Sequence, residues 1–201
     1  METTHTCPTE MPVMVLPEVS LFPNALLPLH IFEPRYREML AYTLEHERIF
    51  AMAMPHDTQE NAIFDIAGAG LIRACVKNED GTSNLILQGI HRVMFTGWKQ
   101  LKPFRIATVQ ALESHEKLTP ETADLRAEVQ QACLQLQENG FKFPPQFEPY
   151  FHQNTDADIF SDVISSVAIN DPQRRQSLLE ELSVTRRLKS LLTFLNSELQ
   201  N

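Results

Sequence analysis

The 201-residue sequence is poor in basic residues, cysteine and long apolar runs, and each shortage removes a class of function. Seventeen Lys and Arg stand against 26 Asp and Glu, a formal charge of -9, which repels polyphosphate backbones unless the cations are gathered on one face. Nucleic acid is therefore a poor first partner. Cys7, Cys75 and Cys133 are too few and too far apart for a zinc knuckle, and an odd count makes a poor disulfide framework. No stretch reaches the roughly 18 uninterrupted apolar residues of a membrane span, and the opening METTHTCPTEMP has no basic region leading into an apolar one. A cytoplasmic location is the default expectation.

Catalytic signatures are missing as well. No G-x-x-x-x-G-K-[ST] phosphate loop and no G-x-S-x-G elbow occurs. His46-Glu47 and His115-Glu116 begin like the zinc motif H-E-x-x-H, but Phe50 and Thr119 stand where the second histidine is required. Gly68-Ala69-Gly70 lacks the third glycine of a dinucleotide fingerprint, because Arg73 occupies its place. None of the seven histidines is paired by local sequence with a cysteine or serine, and His30 and His91 read as ordinary histidines of apolar or β segments. No catalytic residue, metal or cofactor is expected.

Hydrophobic residues make up 43% and charged residues 21% of the chain, which suits one good-sized soluble domain or two small lobes. The most patterned stretch is Met11 to Leu40, where Pro12, Pro17, Pro23, Pro28 and Pro34 cut short apolar runs at near-regular intervals. Proline removes a donor and fixes φ, so the pattern predicts short strands at sheet edges joined by tight bends. Glu33-Pro34 then opens a helix with an apolar stripe through Tyr36, Met39 and Leu40. Arg48 to Met54 reads as a buried strand. From Ile66 long antiparallel strands fold about Asp80-Gly81, with Gly89 and Gly97 marking bulges or close backbone crossings. Phe104 to Leu112 is a further strand.

Composition changes after Ser114 to Thr119. Thr119-Pro120 caps a helix carrying Leu125, Val129, Cys133 and Leu136, which stops near Asn139-Gly140; Cys133 falls on its apolar side, so a buried thiol is expected. Further helices follow over Asp156 to Ile169, from Asp171-Pro172, and from Ser183 onward. The predicted organisation is a tail over 1–10, a β-rich lobe over 11–115 and a helical lobe over 116–201. Arg174, Arg175, Arg186, Arg187 and Lys189 form the one locally basic region, read as a solvated face beside Glu180 and Glu181, with an acidic partner or RNA as the sharper alternative.

Phe22-Pro23, Pro28-Leu29 and the run Ile31-Phe32-Glu33-Pro34-Arg35-Tyr36 resemble the opening of the Lon protease N-terminal (substrate-binding) domain family. Gly68, Gly70, Ile72, the Asp80-Gly81 turn, Gly89 and Arg92 are similar to its spaced glycines, and Asp156 to Ile169, Gln176 to Leu182 and Arg186-Arg187-Leu188 to its helical tail. The resemblance covers roughly Pro12 to Leu199. It implies an α+β fold, a PUA-like β pseudobarrel followed by an α-helical lobe. It also implies a free-standing, non-catalytic module, because neither the ATPase phosphate loop nor a Ser-Lys protease domain follows.

The function expected is binding of unfolded or extended polypeptide through apolar surface, in concert with a protease or chaperone system. Phe22, Leu26, Leu29, Ile31, Phe32 and Tyr36 are the candidate groove wall, about half of which any compact fold must use as core. Phe141, Phe143, Phe147, Tyr150 and Phe151 form a second candidate surface; either they plug the gap between lobes, the preferred reading for rings of this size, or they dock a partner. An adaptor for a folded partner, a PUA-like RNA-binding protein and an unrecognised hydrolase are the alternatives.

Overall fold

The computed structural model describes residues 6–56, 62–116, 119–152 and 156–199, and the chain divides into two compact units, Met1–Leu112 and Glu113–Asn201. The first unit contains strands β1 (Glu10–Val15), β2 (Leu26–Ile31), β3 (Ile49–Ala53), β4 (Ile66–Lys77), β5 (Ser83–Gln100) and β6 (Arg105–Leu112), with helix α1 (Pro34–Glu45) between β2 and β3. The second contains α2 (Pro120–Glu138), α3 (Glu148–His152), α4 (Ala157–Ala168), α5 (Pro172–Glu180) and α6 (Val184–Leu199). The fold is α+β, as the sequence implies.

The strands run in the order β2-β5-β4-β3-β1-β6, and β6 pairs again with β5, so five strands close into a pseudobarrel. Among the described strands of this sheet, β1 and β3 make the one parallel pair. Closure is possible because β5 is 18 residues long: Ser83 to Gln88 pairs with β2, while Arg92 to Gln100 pairs with β6. Register shifts at Ala69/Gly70, Ile72/Ala74, Phe95/Gly97 and Trp98/Gln100 bend the long strands where they must change neighbours.

Two glycines of the barrel are required by close backbone approach. The carbonyl oxygen of Leu21 occupies the place of a Cβ on Gly68, and that of Phe22 the place of a Cβ on Gly89. The segment before β2 is thereby seated directly on β4 and β5. Asp80-Gly81 makes the predicted turn, with Gly81 at φ 81° and the Thr82 N–H donating to Asp80 Oδ1 at 2.9 Å.

One expectation needs correction. β1 is an interior strand, flanked by β3 and β6, although it contains Pro12. The strand changes partner along its length: Glu10 to Val13 pair with β6, and β3 joins only from Val13. Pro12 thus has a neighbour on one side only, where its missing N–H costs nothing. β2, which contains Pro28, pairs with β5 alone.

In the helical unit the predicted starts are present. The Thr119 hydroxyl accepts from the Thr122 N–H at 3.0 Å, Asp156 caps α4 through the Asp158 N–H, and Asp171 caps α5 through the Arg174 N–H. The aromatic loop differs from expectation: a 3-10 turn over Pro145–Phe147 and the short α3 lie within it.

Candidate functional site

β2 alternates LLPLHI with Leu27, Leu29 and Ile31 turned toward the barrel core and Leu26, Pro28 and His30 turned outward. Its neighbours continue the outward row, since Pro28 stands opposite Ile86, which stands opposite Ala74, and His30 opposite Asn84, which stands opposite Val76. These residues line a shallow cavity of about 410 Å³. His30 Nδ1 lies 2.8 Å from Asn84 Oδ1, and the His30 ring stacks 6.0 Å from Phe32.

The face is apolar and open to solvent. Leu26 is 54% exposed, Phe32 61% and Val76 63%, among the most exposed large apolar side chains described. The other candidates are turned inward. Phe22, Ile31 and Tyr36 are buried, packed into the core or held by it, and offer no groove wall; Leu29 is half-buried against the same core. The Tyr36 hydroxyl donates to the Val15 carbonyl at 2.7 Å, and burial pushes its pKa up. Sequence alternation alone missed Val76 and Ile86, which only the β4–β5 register brings beside β2.

A second cavity of about 550 Å³ opens at one end of the barrel between Val15, Tyr36, Ile63 and Phe104, with Arg35, Lys102 and Arg105 on its lining. Arg35 is held by Glu33 at 2.9 Å and lies over the Tyr36 ring. Its cations are thus partly committed to the protein itself.

The five loop aromatics belong to the packing of the helical unit. Phe141, Phe143, Phe151 and Phe160 form a chain of edge contacts with centroids 4.7, 5.1 and 6.4 Å apart, and Phe147 and Phe151 are buried. Gln130 Nε2 donates to the Phe151 carbonyl at 2.8 Å, fixing α3 to α2.

The basic region is not uniformly solvated. Arg186 is exposed and pairs with Glu181 at 3.1 Å, and Lys189 pairs with Glu121 at 2.5 Å. Arg187, by contrast, is fully buried: its guanidinium bonds Asp158 and donates to Ser161 Oγ at 2.9 Å and the Glu181 carbonyl at 2.8 Å, with Asp162 3.4 Å away. Desolvation of such a charge is tolerated only with this degree of pairing. The helical spacing carried a signal for it, since Arg187 falls on the Val184, Leu188, Leu191 and Leu195 stripe while Asp158, Ser161, Asp162 and Ser165 make a polar stripe on α4.

Cys133 is buried and its thiol is pushed up to about 12 by desolvation. Among the described residues no group of acidic, histidine and cysteine side chains is arranged to hold a metal, and no helix is long and apolar enough to cross a membrane.

The first unit is a closed β pseudobarrel with an apolar, solvent-facing sheet face, and the second is helical. Residues 10–197 match the family model of the ATP-dependent protease La (LON) substrate-binding domain, and the chain belongs to that family. It is 24% identical over 204 residues to a Lon protease of Desulfosudis oleivorans, covering 98% of this chain and 25% of the relative. It is 28% identical to Lon protease 2 of Herpetosiphon aurantiacus, covering 94% of this chain and 24% of that one. The chain thus spans about a quarter of the length of these relatives. Among solved structures, the Lon N-terminal domain protein of Xanthomonas campestris superposes with TM-score 0.69 at 21% identity, covering 93% of this chain and 99% of that one. The N-terminal domain of a Mycobacterium avium complex Lon protease does so with TM-score 0.74 at 18% identity, covering 93% and 98%.

Proposed function

We propose that the chain is a non-catalytic, cytoplasmic module that binds unfolded or extended polypeptide on the outward face of β2, β5 and β4, in the service of a protease or chaperone system. The observation that carries this reading is the gathering of exposed Leu26, Phe32 and Val76 around the cavity lined by Pro28, Ala74 and Ile86. Unfolded chains present apolar side chains that folded ones hide, and each large side chain taken out of water on such a face contributes about 1.5–3 kcal/mol. Selection follows from exposure and needs no reacting group.

Leu26 and Phe32 are the residues retained as contacts from the first candidate set, and Val76 and Ile86 join them. The rings from Phe141 to Phe151, of which Phe147 and Phe151 are buried, are read as packing within the helical unit and not as the contact surface. Titration with a reduced, carboxymethylated protein and with its native form tests the reading. Selective binding of the unfolded form is expected, and equal or negligible binding of both contradicts it.

A further inference from the structure

The hydrogen-bond parity of β2 determines what its free side presents. Gly89 donates its N–H to the Ala25 carbonyl at 2.9 Å, and Ala25 extends the register in which Leu26 stands opposite Gln88. In an antiparallel ladder, bonded and non-bonded pairs alternate. Leu27 with Leu87 and Leu29 with Leu85 are therefore the bonded pairs, whereas Leu26, Pro28 and His30 turn their backbone groups away from β5. Proline at position 28 fits this parity, because its nitrogen has no proton to give β5. Leu27 and Leu29 face the core yet are only partly buried, as residues of a strand covered on one side only are.

We infer that extended polypeptide binds by adding a strand to the free edge of β2, its backbone bonding to Leu26, Pro28 and His30 and its alternate side chains lying beside Leu26 and Phe32. The inference rests on the polypeptide-binding reading and specifies its geometry. The edge offers N–H donors at Leu26 and His30 and carbonyl acceptors at Leu26, Pro28 and His30, a pattern that only another extended backbone matches. Backbone pairing is indifferent to side-chain identity, so clients of unrelated sequence are accepted, with the apolar face favouring those that carry alternate apolar residues. Pro28 leaves one acceptor of the incoming strand without a donor and limits the affinity, which suits release.

The test is fluorescence anisotropy with a fluorescein-labelled heptapeptide, valine and leucine at alternate positions and lysine at both ends, and its singly N-methylated versions. N-methylation at alternate positions is expected to weaken binding at least about fivefold, with the intervening positions within about twofold, because only every second N–H faces β2. His30→Pro is expected to weaken the parent peptide about fivefold by removing one edge donor. A bound parent indifferent to N-methylation overturns strand addition and leaves the polypeptide reading standing. Failure of the heptapeptide to bind overturns strand addition, and failure of a reduced, carboxymethylated protein as well overturns both. A dimer that excess peptide does not dissociate assigns the edge to a second copy and overturns the inference.

Discussion

Gly89 meets the segment before β2 through its N–H, which bonds the Ala25 carbonyl, and through its missing Cβ, which makes room for the Phe22 carbonyl oxygen. The two contacts lock the strand that carries Leu26 and His30 onto β5 in one register. That register places the candidate site.

Gly89→Ala forces a methyl group against the Phe22 carbonyl, a backbone atom with no rotamer to yield. Loss of about 2–3 kcal/mol is expected. Trp98 is the sole tryptophan and lies in β5, so its fluorescence during urea unfolding follows the barrel unit. A midpoint unchanged from wild type would contradict the crossing.

On the outer face the opposite balance holds. Phe32→Ser and Val76→Ser remove exposed apolar surface and are expected to leave stability within about 0.5 kcal/mol. Each is expected to weaken binding of unfolded protein by about 1–2 kcal/mol, roughly five- to thirty-fold. Ile31→Ser, one residue away but inward, is expected to destabilise the fold instead.

Arg187 and Arg186 are neighbours in sequence with unlike roles. Arg187→Ala leaves Asp158 and Asp162 without their buried cation and is expected to cost about 3–5 kcal/mol, read from far-UV circular dichroism during denaturation of the helix-rich chain. Arg186→Ala breaks an exposed pair with Glu181 and is expected to change stability by about 0.5 kcal/mol at most.

Cys133 predicts an alkaline dependence. The folded state holds the thiol protonated up to about 12, whereas the unfolded thiol ionises in the ordinary range, so the unfolded state loses its proton first. Stability contributed by the neutral thiol is full below the unfolded pKa and declines as pH rises towards about 12. Cys133→Ala is expected to flatten that decline in alkaline denaturation curves. Native alkylation by iodoacetamide at neutral pH is expected to spare Cys133.

Helix starts were legible because their physics is local. Pro34, Pro120 and Pro172 fix φ, and Thr119 and Asp171 supply capping oxygens, without help from distant residues. Asp80-Gly81 was legible for the same reason. The outward row of β2 was less so, since Leu26, Leu27 and Leu29 make both faces apolar; only Pro28 and His30 mark the even-numbered row as the exposed one. Pro12 misled because partner exchange at Val13 is a property of the barrel, not of the strand. Val76 joins the site through a register that a bulge at Ile72/Ala74 resets, which no local pattern encodes. Arg187 followed the apolar stripe of α6, but its charge and its neighbour Arg186 argued for solvent.

Hydrogen exchange resolved at single amides tests the central claim most directly. On saturation with the unfolded heptapeptide, the Leu26 and His30 amides, which face away from β5, are expected to slow, while the Leu27 and Leu29 amides, already bonded to it, change little. Protection appearing elsewhere, with Leu26 and His30 exchanging as fast as in the free protein, would contradict it.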